Sequence, residues 1–191
     1  MLTKLLQYVV RRNSPYVLGA LVLGSALAGL LFWGAFNWAV ELSSTETFCV
    51  SCHEMSWVNE EYETRTHNSN ASGVRAICSD CHIPKAWGAK MMRKMRATLH
   101  ELPQKILGKI NTKEKFEAHR LELAEHVWDT MKANDSLSCR NCHSQEAMDL
   151  DSQDKSARKK HTAKRRLEKG ETCIDCHKGI AHELPEDYEG D

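Results

Sequence analysis

Four cysteine pairs, each closed by a histidine, stand out in the chain: CVSCH at 49–53, CSDCH at 78–82, CRNCH at 139–143 and CIDCH at 173–177. In a CxxCH run each thiol can add to a vinyl group of a haem, while the adjacent histidine turns under the ring to bind iron. The four runs use all eight cysteines. Paired CxxC motifs also build tetrathiolate zinc sites, but zinc asks for no histidine after every second cysteine. Four disulfides at this tight spacing are unexpected. The pattern predicts four covalent c-type haems, carried by Cys49 and Cys52, Cys78 and Cys81, Cys139 and Cys142, and Cys173 and Cys176, with His82, His143 and His177 as iron ligands. At the first run two side chains compete, His53 inside the motif and Met55 two residues on. The residues alone favour His53.

A low-spin electron-transfer haem takes a second strong axial ligand. Six histidines lie outside the motifs: His67, His100, His119, His126, His161 and His182. His182 follows the last motif by a short loop, and His67 and His161 each precede a motif, so these three are the expected distal ligands. His119 and His126 lie seven apart on one predicted helix and read as packed or surface residues.

The elements that must position these groups are helical. The motifs fall into two doublets, 49–82 and 139–177, joined by a connector at 85–132. In the connector, Trp87, Met91, Met95 and Leu99 recur at helical spacing among Lys90, Arg93, Lys94 and Arg96, with Pro103 expected to stop the helix after about residue 102. A second helix is predicted over about 112–132, with Thr112 as N-cap and Phe116, Leu123, Val127 and Met131 on one side. No convincing strand pattern is present. The basic run at 155–169 is either a solvated helix face or a contact for haem propionates or an acidic partner.

Residues 16–40 hold no ionisable side chain except Tyr16, which is about 36 Å of helix and enough to span a bilayer. Lys4, Arg11 and Arg12 precede the run and Glu41 and Glu46 follow it, so the positive-inside rule places 1–15 in the cytoplasm and 41–191 in the exported compartment, where haem c is attached. An ALA triplet at 26–28 resembles a signal-cleavage site but sits in mid-run, so the segment reads as an uncleaved single-pass signal anchor. Trp33 and Trp38 fit an interfacial aromatic belt. Cys49 follows Val40 by only nine residues, so the first haem lies about 13 Å from the anchor if the link is helical and about 30 Å if it is extended.

Formal net charge is zero, which removes the electrostatic case for nucleic-acid binding. Aromatic residues make up 7%, thin for a core unless porphyrins fill it. The fold expected is mainly α: one transmembrane helix and a small domain of short helices and loops around four haems.

One N-terminal anchor, four CxxCH motifs, the extended CVSCHEM, CSDCHIP and CIDCHKGIAH together resemble the NapC/NirT family of membrane-anchored tetrahaem cytochromes, which also takes in the CymA and NrfH groups. The resemblance covers nearly the whole chain. It implies a bacterial inner-membrane protein with a periplasmic haem domain that oxidises quinol and passes electrons to a periplasmic reductase, nitrate reductase being the expected acceptor. It implies that Met55 ligates the first haem, that Lys94 lies by the quinol site, and that His67, His161 and His182 are distal ligands. Where other branches of the family carry an acidic residue, six positions after the lysine, this chain has His100, as in the NapC/NirT branch. His100 is then either the distal ligand of the first haem or a proton acceptor for quinol.

Lys94 can hydrogen-bond a quinol oxygen while His100 or Glu101 takes a proton. A carrier running in reverse, from a periplasmic enzyme to quinone, would use the same residues, as would a donor to nitrite reductase or another reductase. A homo-oligomer is left open.

Overall fold

The computed structural model describes residues 3–4, 7–8, 14–162 and 168–190, and divides at 44/45 into two units. Arg11, Arg12 and the segment 163–167 of the basic run lie outside the described residues.

The first unit is dominated by α1, Pro15–Leu42, 28 residues long. Proline at its first position needs no N–H there and starts the helix. No residue of its most apolar stretch is buried, so its leucines and aromatics present a continuous apolar surface, as a membrane-spanning helix requires.

The second unit is built from short helices: α2 (Glu46–Val50), α3 (Glu54–Glu63), α4 (Cys78–His82), α5 (Trp87–Arg96), α6 (Leu102–Ile106), α7 (Lys113–Ala133), α8 (Leu137–Arg140), α9 (Lys155–Lys160) and α10 (Cys173–Cys176). No strand occurs among the described residues. The fold is mainly α, as the missing period-2 patterns imply.

The long connector helix follows its sequence signals closely. Thr112 caps α7 by accepting from the Lys115 N–H at 3.4 Å. Phe116 is buried against Trp57 of α3, ring centres 5.5 Å apart, and Val127 and Met131 are half-buried on the same side. Leu123 departs from the expected apolar side and is exposed; the inward position near it belongs to Arg120, buried because two carboxylates and a carbonyl receive it.

Pro103 does not stop the preceding helix. The chain passes from α5 through a π turn, Ala97–Glu101, directly into α6, where Pro103 is the second residue. Proline lacks the N–H that would answer a carbonyl one turn earlier, and the wider π turn ahead of it accommodates that loss.

Little of the second unit's apolar side chain is buried. Tyr62, Phe116 and Ile174 are the buried apolar residues described there, beside buried Glu54, Arg120 and Ser136. A unit this size with so thin a side-chain core is what remains when another group is to fill the interior.

Candidate functional site

The second and fourth CxxCH motifs each open a helical turn, and local capping explains why. Asp80 accepts from the Ile77 N–H at 2.9 Å, and Asp175 accepts from the Thr172 N–H at 2.7 Å and from its hydroxyl at 3.0 Å. The aspartate inside CxDCH thus ties down the entry to the turn that presents the second cysteine and the histidine. Lys132 of α7 reaches Asp175 at 2.7 Å.

The cysteines form no disulfide. The thiols of Cys49 and Cys78 lie close enough to act on each other, as do those of Cys139 and Cys173, so within each doublet the first cysteines meet. The doublets also touch: Ser138 donates to the Cys81 carbonyl at 2.9 Å, and burial, with nearby Cys139 next, pushes the Cys81 thiol up to about 11. Ser136, fully buried with φ 49°, accepts from the Ile174 N–H at 3.1 Å and sets the third motif against the fourth.

Three motif histidines each face one of the three expected distal histidines. Ring centres lie 6.2 Å apart for His67 and His143, 6.2 Å for His82 and His182, and 5.9 Å for His161 and His177. Two imidazoles on opposite sides of one iron, each nitrogen about 2 Å from it, hold their ring centres roughly 6 Å apart, so the three pairs fit haem iron. Burial, with His182 and Arg93 next, pushes the His82 imidazole down to about 4. Burial likewise lowers His182, and burial with His161 and His143 lowers His177. Each shift favours neutral imidazole, the ligating form.

Residues absent from the sequence reading hold the distal histidines. Tyr62 shares its one hydroxyl proton between the His67 carbonyl, 2.9 Å away, and the Ala76 carbonyl. Gln153 accepts from His161 Nδ1 at 2.7 Å, which leaves Nε2 bare for a metal, and Gln145 donates to the His161 carbonyl at 3.0 Å. Arg120 pairs with Glu61 at 2.5 Å and donates to the Glu183 carbonyl at 2.9 Å, while Glu61 accepts from the Glu183 N–H at 2.9 Å. This knot joins α3, α7 and the loop that carries His182. Only the aspartates of CxDCH had a local signal, a carboxylate placed to cap its own turn; the other partners are far away in sequence.

The first motif is different. His53 is 64% exposed at its side chain, and its Nε2 donates to the Asn111 carbonyl at 3.1 Å. Its aromatic neighbour among the described residues is Trp57, at 6.1 Å. Met55 is half-buried one residue into α3. Between them Glu54 is buried and paired with Lys105 at 3.1 Å; burial opposes its charge, but its own backbone N–H and Lys105 hold its carboxyl below the usual range.

Lys94 is half-buried on α5, and its positive charge partly offsets the burial that raises the Cys49 thiol, which places it beside the first motif. His100 is exposed on the π turn and meets no other histidine ring among the described residues. Its neighbour Glu101 is taken by Arg93, with bonds of 2.7 and 3.3 Å. His119 Nδ1 donates to the Lys115 carbonyl of its own helix at 2.8 Å, and His126 is exposed.

The N-terminal region of the NapC/NirT cytochrome c family matches residues 11–187. The chain belongs to the NapC/NirT cytochrome c family. It is 52% identical to the denitrification system component NirT of Stutzerimonas stutzeri, over 92% of this chain and 87% of that protein. It is 52% identical to the cytochrome c-type protein NapC of Paracoccus pantotrophus, over 93% of this chain and 75% of that one, and 50% identical to NapC of Escherichia coli K12, over 92% and 87%. No solved structure matches. This NapC/NirT member is a membrane-anchored cytochrome c that transfers electrons and carries covalently bound haem c.

Proposed function

We propose that the chain binds four haems c, oxidises membrane quinol at the first of them, and hands the electrons through the other three to a periplasmic reductase, with nitrate reductase as the leading acceptor. The observation that carries this reading is the asymmetry among the motifs. The second, third and fourth present a histidine pair at the separation of two axial ligands, and the first, beside Lys94, presents none among the described residues.

In this reading the eight motif cysteines hold the haems. His82 with His182, His143 with His67, and His177 with His161 take the irons of the second, third and fourth. Met55 takes the first, because the Nε2 that His53 would offer is engaged by Asn111. When bound, the haems supply one-electron acceptance and transfer. The protein supplies the rest. Lys94 orients a quinol oxygen, and His100 accepts a proton as quinol is oxidised, since Glu101 on the same turn is held by Arg93. A thioether donates less electron density than imidazole, so Met55 raises the potential where electrons enter. The buried, paired imidazoles keep one ligand set in both oxidation states, which suits a relay.

The exported side is taken to be the periplasm, from the positive-inside rule and the haem chemistry. The name of NirT, a denitrification component, supports an acceptor among reductases of nitrogen oxides. Reconstitution tests this. Quinol, the full holoprotein in liposomes and purified periplasmic nitrate reductase together should consume nitrate, and omission of the cytochrome should abolish turnover. Turnover with nitrite reductase but not nitrate reductase would reassign the acceptor, and failure of quinol to reduce the haems would refute the direction of flow.

A further inference from the structure

The run from α5 through the π turn to α6 carries an apolar face that the described residues of its own unit leave exposed. Trp87, Met92, Met95, Leu99, Leu102 and Ile106 recur every three to five residues along it, and all are exposed, Met92 by 65%, Leu99 by 66% and Ile106 by 78%. Leu107, just past the helix end, is 82% exposed. A soluble surface rarely leaves this many large apolar side chains contiguous and bare. The π turn keeps the run helical past Pro103, so the stripe is continuous over 87–106 rather than ending at residue 102.

Two further observations say what covers it. Residues 85–109 contain seven lysines and arginines against a single glutamate, a charge that complements anionic phospholipid headgroups. The unit that carries the stripe begins at Thr45, three residues after the transmembrane-type helix ends at Leu42, so the unit is tethered to a membrane-spanning segment.

The geometry points to a second membrane contact: the helical run 87–107 lies in the lipid interface, its apolar side among the upper acyl chains and its cationic side at the headgroups. The chain is then held at two places, by the anchor and by this helix. Because Lys94, whose charge acts on Cys49 of the first motif, sits on this run, the helix also bears on how that motif meets the lipid. The inference does not rest on quinol as the substrate.

The test uses the full holoprotein in vesicles of phosphatidylethanolamine and phosphatidylglycerol doped with a phospholipid bearing a diazirine in its tail. After photolysis, mass mapping should find lipid adducts on α1, the internal control, and on Met92, Met95, Leu99 and Ile106. Adducts on α1 with none on 87–107 would overturn the proposal. A second arm introduces Leu99→Cys, Ile106→Cys and, on the polar side, Gln104→Cys, each with wild-type haem content. A membrane-impermeant maleimide should modify positions 99 and 106 roughly tenfold or more slowly than 104. Equal rates at the three positions would overturn the proposal.

Discussion

Met55 and His53 are separated by one residue, yet the structure gives them different surroundings. His53 spends Nε2 on a backbone carbonyl at 3.1 Å, whereas the motif histidines of the other three runs each face a second imidazole. Met55→Ala should therefore change the electron paramagnetic resonance signal of one haem and leave three untouched; an unchanged spectrum would return the ligand to His53. Tyr62 acts on a ligand it does not replace. Its hydroxyl lies against the His67 and Ala76 carbonyls in a buried position, and the His67 carbonyl also accepts from the Ala76 N–H at 3.0 Å, so Tyr62→Phe should cost about 1–3 kcal/mol of stability by leaving the Ala76 carbonyl unpaired, read as a lower Tm. It should also disturb the signal of one bis-histidine haem, which a purely structural loss would not do.

Among the elements, α7 was legible because its signals are local: a threonine cap, an apolar side and a run of good helix formers. The exceptions are instructive. Leu123 shares the period of the buried side and is exposed, because period alone cannot tell that Arg120 has Glu61, Glu117 and the Glu183 carbonyl waiting for it. Pro103 is a helix breaker by its own chemistry, and only the π turn ahead of it lets the helix continue. The Arg120 and Glu61 pair also gives the fold a pH dependence. Burial opposes the charge on Glu61, but the bond from Arg120 and the Glu183 N–H outweigh it and hold its folded pKa below the usual carboxylate range. A depressed carboxylate contributes stability above its unfolded pKa and loses it as pH falls through the folded value. Thermal melts on acidification below about pH 4 should fall more steeply for wild type than for Glu61→Gln, and the variant should be less stable by about 3 kcal/mol at neutral pH, where it breaks a buried pair. Parallel curves would remove Glu61 from the account.

At the scale of the whole molecule, the eight motif cysteines and the three histidines expected as distal ligands stand out in the chain, but which motif histidine each one faces does not. His67, before the second motif, faces the histidine of the third, and His182, after the fourth, faces that of the second. Each half of the haem-bearing unit thus lends a histidine to the other, a long-range exchange that spacing along the chain does not encode. It makes the doublets interdependent, with the knot around Arg120 holding the returning loop. The first motif stands apart from that exchange and beside Lys94, which is why electrons are assigned to enter there. Stopped-flow reduction of the full holoprotein by a quinol analogue tests this claim most directly. Wild type should reduce rapidly, and Lys94→Ala and His100→Ala should each slow the first phase by roughly tenfold or more while leaving the haem content and ligand signals intact. Reduction of both variants at the wild-type rate would contradict the account.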